Sequence, residues 1–202
     1  NERALDSYGQ APQPTTDAYV TYALLQAGVP AAELQVEIER LVGRMATDDA
    51  YELALISCAL HRAGRPEAQL TRTRLAGMQR PDGSLHGAAS ITRSGGSDLV
   101  VETTGFAVLA WLVDPARAGN VRAAVDFLTG SRTASGRFGA TQATIVALRA
   151  LTEYAQANRA MKAPGTLRVF AGERQLAEKG FAAGAVDAVV LELWNLLPPG
   201  AH

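Results

Sequence analysis

Four apolar segments, each opened by a short polar stretch, recur along the chain. They are VTYALLQAG after Thr16-Asp17-Ala18-Tyr19, ELALISCALHRAG after Asp48-Asp49-Ala50-Tyr51, GFAVLAWL after Glu102-Thr103-Thr104, and IVALRALTEYA after Thr141-Gln142-Ala143-Thr144. A helix that is apolar around most of its circumference is normally enclosed by protein. The pattern predicts four buried helices opened by polar caps, the first two of which stop at Gly28 and Gly64.

Amphipathic segments alternate with these apolar ones. Within residues 30–45, apolar positions recur at helical spacing and polar residues fill the other face, and similar helices are predicted over 67–78 and 121–129. The simplest arrangement puts the apolar helices in an inner layer and the amphipathic helices outside. The chain is therefore predicted to be mainly α, as part of an α/α toroid built of helical hairpins and followed by a short β segment.

The pattern changes after Pro164-Gly165. TLRVFAGERQLAEKGF alternates apolar and polar residues around a turn at Ala171-Gly172-Glu173, and AVDAVVLELWNLL is interpreted as one or two further strands. We expect a partial toroid over residues 1–160 and β strands of an adjoining, truncated domain over residues 161–202. Three hairpins and one inner helix are few for a closed ring, so we expect further protein before Asn1 and after His202.

Composition narrows the functional classes. The 202 residues are 48% hydrophobic and 19% charged, which supports a folded core. The net charge is −1 and there is no basic stripe, so nucleic acid is not an expected partner. No apolar run reaches the roughly 18 residues of a membrane span, and the first ten residues lack the apolar centre of a signal peptide.

Few residues suggest chemistry by themselves. Cys58, the single cysteine, lies in an apolar run and is predicted to be a small buried hydrophobe, although His61 lies within helical reach of it. Asp48 and Asp49 indicate helix capping rather than metal binding. His61 is expected to be a cation at a helix end. No zinc-ligand spacing or phosphate-binding glycine motif occurs, so we expect neither a metal nor a cofactor.

The polar openings of the last two apolar helices have two interpretations. Glu102, Thr103 and Thr104, and likewise Thr141, Gln142 and Thr144, either cap helices or belong to a site on the rim where the N-terminal ends of the inner helices meet. His86 lies in a glycine-rich loop predicted over residues 79–99 and is the loop histidine available for acid–base work.

Four strings together resemble the α2-macroglobulin family, especially its bacterial members. They are TTDAYVTYALLQAG, DDAYELALISCALHRAG, MQRPDGSL with SGGSDLVVETTGFAVLAWL, and SGRFGATQATIVALRALTEYA. The V-E-T-T and F-G-x-T-Q-x-T segments are the most specific, and GTLRVFAGERQLA resembles the strand–turn–strand that follows the thioester-containing domain. The resemblance implies the later half of such a domain, an α/α toroid that complement proteins also contain.

The resemblance also implies a function for a larger parent protein. Members of the family are non-enzymatic, broad-range protease traps. Cleavage of a bait segment exposes a Cys–Gln thioester, which acylates a nucleophile on the target. The implied partners are proteases and the remaining domains of the parent, without membrane contact by this segment. The implied location is periplasmic or extracellular, with a parent that is often lipid-anchored.

The chain departs from the family pattern at the thioester. The C-G-E-Q motif is absent, and Cys58 is followed by Ala59-Leu60-His61, so these residues cannot form that thioester. Some complement relatives have a histidine shortly after P-D-G that assists transfer to hydroxyls. Thr92 stands near that position here and His86 is displaced. If the parent carries a thioester, the resemblance implies direct reaction with amines.

Two other functions remain open from the residues alone. One is a helical-repeat module that binds other proteins. The other is a prenyltransferase or terpene cyclase, which would need a zinc set of Asp, Cys and His or an acidic D-x-D-D motif on the inner helices. The only cysteine lies in an apolar run and no D-x-D-D string occurs, which disfavours the enzyme.

Overall fold

The computed structural model describes residues 11–133, 136–159, 163–185 and 189–191. Helices dominate the described residues, and a two-stranded antiparallel sheet follows them, as the sequence predicts. The elements are α1 (Gln13–Gln26), α2 (Gln35–Val42), α3 (Ala50–Arg62), α4 (Ala68–Gly77), α5 (Gly96–Trp111), α6 (Ala118–Gly130), α7 (Thr141–Ala157), β1 (Gly165–Ala171) and β2 (Arg174–Phe181). Two compact units divide between Tyr154 and Ala155.

The first unit has the predicted inner and outer layers. Helix α3 contacts α1, α2, α4 and α5, and every residue from Ala50 to Leu60 is buried. The outer helices bury one face only, for example Ile38 and Leu41 of α2. Helices α1 and α7, in contrast, keep exposed apolar side chains, namely Val20, Leu24, Ile145 and Leu148.

Glycines end two inner helices as predicted. Gly28 and Gly64 have φ angles of +92° and +69°, which a residue with a Cβ rarely adopts. After each glycine, the next amide reaches back five residues to a helix carbonyl, from Val29 to Leu24 at 3.0 Å and from Arg65 to Leu60 at 2.9 Å. This is the Schellman arrangement, which satisfies carbonyls at the helix end.

Several helix starts differ from the prediction. Helix α1 begins at Gln13 rather than near Thr16, because a proline is tolerated in the first helical turn. The helix predicted over 30–45 is a short 3₁₀ turn, Ala31–Leu34, followed by α2. Helix α5 begins at Gly96, so the loop predicted over 79–99 ends at residue 95. Leu70 of α4 is an apolar side chain in an amphipathic segment, yet it is 67% exposed.

The second unit contains the β hairpin. Strands β1 and β2 pair antiparallel from Gly165 opposite Phe181 to Ala171 opposite Arg174, with an irregularity between Val169 and Phe170. Gly172, in the predicted turn, has a φ of +60°, as the first central residue of a II′ turn requires. In the further segment predicted as strand, residues 186–188 and 192–197 lie outside the described residues, and residues 189–191 form no strand.

Candidate functional site

Residues 79–95, between α4 and α5, form a loop over the start of α3 and the middle of α5. We name it the rim loop. Three of its amides donate hydrogen bonds to helix side chains: Leu85 to the Thr104 hydroxyl (3.0 Å), Ala88 to Asp49 Oδ1 (3.0 Å) and Ile91 to the Tyr51 hydroxyl (3.4 Å). Side chains of α5 and of the start of α3 therefore hold the loop in place.

Gly87 allows this close approach. A Cβ at Gly87 would lie 2.5 Å from Cβ of Tyr51 and 2.8 Å from Oγ1 of Thr103, closer than real Cβ atoms come to such neighbours. The Thr103 hydroxyl donates to the backbone oxygen of Leu99 within α5 (2.7 Å). Thr103 and Thr104 are both fully buried, and their hydroxyls serve the helix and the loop respectively.

Glu102 lies beneath the rim loop and not in the first turn of a helix. Since α5 begins at Gly96, the capping interpretation of Glu102, Thr103 and Thr104 is wrong. The Glu102 side chain is fully buried. Its Oε1 accepts hydrogen bonds from the Ser94 hydroxyl at 2.5 Å and from the Thr92 hydroxyl at 3.5 Å. Its Oε2 has no hydrogen-bond partner among the described residues.

Three hydroxyls connect this carboxyl to the surface. Thr92 Oγ1 lies 3.3 Å from Ser90 Oγ and 3.0 Å from Ser94 Oγ, and Ser90 Oγ accepts from the Ser94 amide at 2.8 Å. Ser94 donates to Glu102 and Ser90 can donate to Thr92, while the single hydroxyl hydrogen of Thr92 goes either to Ser94 or to the more distant Glu102 Oε1. Thr92 is exposed, whereas Ser90 is fully buried.

The environment of Glu102 raises its pKa above the ordinary value. Burial raises the pKa of Glu102, the nearby Asp98 carboxylate raises it further, and hydrogen bonds from Ser94, Thr92 and Ser90 only partly oppose this. Burial disfavours the charged form of an acid because the protein interior solvates the charge poorly. Among the described residues, no lysine or arginine pairs with Glu102.

His86 belongs to a different part of the rim. It is exposed and lines a cavity of about 320 Å³, whose lining includes Asp82, Asp98 and Phe138 but neither Glu102 nor Thr92. Asp82 accepts hydrogen bonds from the amide and hydroxyl of Ser84, which hold its pKa below the usual range. The structure thus brings Thr92 to Glu102, but places His86 elsewhere.

The opening of α7 contains the remaining predicted residues. Thr144 Oγ1 accepts from the Phe138 amide at 3.2 Å and lies 3.5 Å from the Gly139 oxygen, so it stabilises the turn before the helix. Thr141 is exposed. Gln142 lines a groove of about 440 Å³ between α1 and α7, with Tyr22, Ile145 and Arg149. The predicted residues therefore occupy three places rather than one pocket.

Sequence reasoning missed the residues that complete the Glu102 network. Ser90 and Ser94 flank Thr92 at a spacing of two in S-I-T-R-S, and the Arg93 amide donates to the Ser90 backbone oxygen at 3.1 Å, which closes a turn that brings the three hydroxyls together. Arg93, between them, has a φ of +59°. The spacing of Ser90, Thr92 and Ser94 was the signal by which the sequence could have indicated this hydroxyl cluster. Asp49 was predicted as a cap, and its side chain does accept from the Tyr51 amide, but its second bond to the rim loop was not foreseen.

A third cavity, of about 350 Å³, lies among the C-terminal parts of the inner helices. Its lining includes Tyr22, Cys58, His61, Arg62 and Arg149. Burial raises the pKa of Cys58 to about 12, and the thiol donates to the Phe106 oxygen at 3.6 Å. His61 lies in the last turn of α3, as predicted, and burial, then Arg72 and Arg62, lower its pKa, which disfavours the charged form.

The sequence-family model of the A-macroglobulin TED (thioester-containing) domain matches residues 13–154. The chain belongs to this family. The matched segment of this TED domain begins at the first residue of α1 and ends in α7. No curated protein matches the chain.

Within the part of the TED domain that the structure describes, no group of three acidic, histidine or cysteine side chains has a metal-binding arrangement. No described helix has the length and hydropathy needed to cross a membrane.

Proposed function

We propose that this TED domain is part of a parent protein that traps proteases of broad specificity. The observation that carries the proposal is the family match over residues 13–154. The layered helices, with the start of α3 and the middle of α5 held beneath one loop, are consistent with it. The proposed targets are proteases, and the proposed further partners are other domains of the same parent.

The role that we propose for this chain is structural rather than catalytic. The Cys58 thiol is buried and its pKa is raised to about 12, so the thiolate that a covalent reaction needs is scarce. The hydroxyls of Thr103, Thr104 and Thr144 take part in hydrogen bonds that hold helices and loops together. These contacts support a scaffold whose task is to shape the rim.

We propose that the parent lies outside the cytoplasm, in the periplasm or the extracellular space, and the resemblance to the α2-macroglobulin family supports this location. The candidates for contact with a target or with neighbouring domains are the exposed rim residues His86, Thr92 and Thr141, together with the half-buried Gln142. For His86 we propose no part in acyl transfer, since its cavity does not include Thr92.

The test of trapping uses the full-length parent. It is mixed with proteases of different specificities, and protease activity is measured on a large protein substrate and on a small peptide. If the parent encloses the protease, cleavage of the large substrate should fall while cleavage of the small peptide persists. Equal inhibition of both substrates would indicate a different kind of inhibitor, and no inhibition of either would refute the proposal.

Two further measurements test the chemistry. Methylamine opens an accessible thioester, so an increase in the intact mass of the parent after treatment would show a thioester in another segment. The parent with His86→Ala should trap proteases as well as the unaltered parent does. A clear loss of trapping by that variant would show that His86 takes part.

A further inference from the structure

The rim loop is held by four side chains of the inner helices, and one of them differs from the others. Thr104, Asp49 and Tyr51 each accept from a backbone amide of the loop. Glu102 instead accepts from the loop hydroxyls of Ser94 and Thr92 through a single oxygen, and its second oxygen is buried without a hydrogen-bond partner among the described residues.

Such a carboxyl is compatible with a closed loop mainly as the neutral acid. A buried anion with one unsatisfied oxygen loses its hydration without full replacement by hydrogen bonds. Opening the rim loop would return water to the carboxylate and remove that cost. The hydroxyl order Ser90, Thr92, Ser94, Glu102 connects the exposed Thr92 with the buried acid.

We propose that Glu102 is a positioning residue whose neutral form keeps the rim loop closed on α3 and α5, and whose loss of a proton releases the loop. This inference is independent of protease trapping, because it concerns only contacts within the chain. The loop carries His86 and Thr92, so its release would also change where these two side chains stand on the rim.

The charged groups around Glu102 either oppose its ionisation or are remote from it. On α5, Asp98 opposes ionisation of Glu102. On α3, Tyr51 contributes a neutral phenol, whose pKa is raised mainly by burial. The N-cap of α3, Asp49, contributes a further carboxylate. In the loop, the Arg93 side chain is exposed, and the Arg93 amide donates to the Ser90 backbone oxygen at 3.1 Å. The raised pKa of Glu102 agrees with this balance.

The sign of the pH effect follows from linkage. The closed loop raises the pKa of Glu102 above its ordinary value. Closure is therefore most stable at low pH, and it weakens as pH rises from the ordinary pKa to the raised pKa of the closed form. Between the pKa of the open form and that of the closed form, one proton is lost on opening, so the opening equilibrium rises about tenfold per pH unit.

The experiment is hydrogen exchange on the 202-residue chain at about pH 4 to 8, a range that starts near the ordinary pKa of glutamate. The reporters are the amides of Leu85, Ala88 and Ile91, corrected for intrinsic exchange and compared with amides of α3. We expect their relative protection to fall about tenfold per pH unit within the interval. In Glu102→Gln, a mimic of the neutral acid, the same protection should be independent of pH.

Two variants separate Glu102 from other carboxyls. Asp49→Asn keeps a side-chain oxygen at the second acidic anchor and should retain the pH dependence. Glu33→Gln, at an exposed position, should also retain it. If Glu102→Gln shows the same pH dependence as the unaltered chain, the proposal is wrong.

A second measurement covers the case in which Glu102→Gln fails to fold. The side-chain carboxyl carbon of Glu102 is followed by NMR in the unaltered chain across the same pH range. Titration above the ordinary glutamate range supports the proposal. Titration within or below that range refutes it, whatever the variant does.

Discussion

One oxygen of Asp49 accepts the Ala88 amide at 3.0 Å while it also accepts the Tyr51 amide at 3.0 Å. The bond from the Tyr51 amide caps α3, and the bond from the Ala88 amide fastens the rim loop to that cap. Asp49 and Ala88 are 39 positions apart in sequence. The start of the most buried helix and the position of the rim loop therefore depend on the same carboxylate.

Replacement of Asp49 tests this double role. We expect Asp49→Ala to lower the free energy of unfolding by about 1–2 kcal/mol, since a lost N-cap has that cost and the Ala88 amide loses its partner as well. Urea unfolding followed by circular dichroism measures it. Asp48→Ala is the matched control: its carboxylate, 97% exposed, pairs with Arg74 at the surface, so we expect a change below about 1 kcal/mol. Equal losses in both variants would contradict the role of Asp49.

Asp114 connects two outer helices to the end of α5. Its Oδ2 lies 3.6 Å from Nε of Arg72 and 3.7 Å from Nε of Arg117, and it accepts from the Gln69 side chain at 3.1 Å. Arg72 and Asp114 are both buried. Removal of one partner from a buried ion pair leaves an uncompensated charge, so Asp114→Ala should destabilise the fold by about 3 kcal/mol.

The control for Asp114 is a partly exposed pair within one helix. Arg149 and Glu153 lie 2.8 Å apart with side chains 30% and 41% exposed, so Glu153→Ala should cost about 0.5 kcal/mol or less. Both variants are compared by urea unfolding at the same pH. A cost for Asp114→Ala no larger than that for Glu153→Ala would show that the Asp114 cluster contributes little.

The inner helices could be predicted from the sequence because their signals are local. In α3, the N-cap Asp49, the continuous apolar run and the stop at Gly64 lie within 16 residues of one another, and the structure confirms all three. Helix α5 was placed correctly only in its apolar part. Its first turn begins with Gly96, Ser97 and Asp98, residue types that are as typical of loops as of helix starts.

The rim site could be predicted only in part, because its contacts join distant positions. Glu102, Thr103 and Thr104 were recognised as unusual polar residues beside an apolar helix. Whether they cap a helix or hold a loop depends on where α5 begins and on partners such as Leu85, 19 residues from Thr104. No local periodicity encodes that pairing.

Gly105 sets the approach of α7 to α5. A Cβ on Gly105 would lie 2.7 Å from Cγ1 of Val146 and 3.4 Å from the backbone of that residue. Overpacking of this kind costs about 1–3 kcal/mol, which we expect for Gly105→Ala in urea unfolding. The double variant with Val146→Ala should recover part of the loss, because the clashing methyl group is removed.

Gly119 supplies the control for Gly105. It also lies in a helix, and a Cβ there meets nothing within 4 Å. Gly119→Ala should therefore leave stability unchanged or raise it by up to about 1 kcal/mol, as expected when a helical glycine is replaced. If Gly105→Ala behaves in the same way, α5 and α7 do not pack as closely as the structure indicates.

Cys58 should be unreactive while the protein is folded. Burial raises the pKa of its thiol to about 12, three units above the ordinary value of 9.0, so the thiolate fraction near pH 8 is about a thousandfold lower. We expect labelling by a thiol reagent to be at least that much slower in buffer than in urea, where the chain is unfolded.

An exposed cysteine completes the comparison. Ala32→Cys in a Cys58→Ala background places a thiol at an exposed position in the same unit, and it should react at the rate of a free thiol. Labelling of native Cys58 at a comparable rate would mean that the neighbouring cavity admits solvent and reagent to the sulfur. The same result would remove the main chemical argument that this chain serves as a scaffold, since a reactive thiolate would then be present among the inner helices.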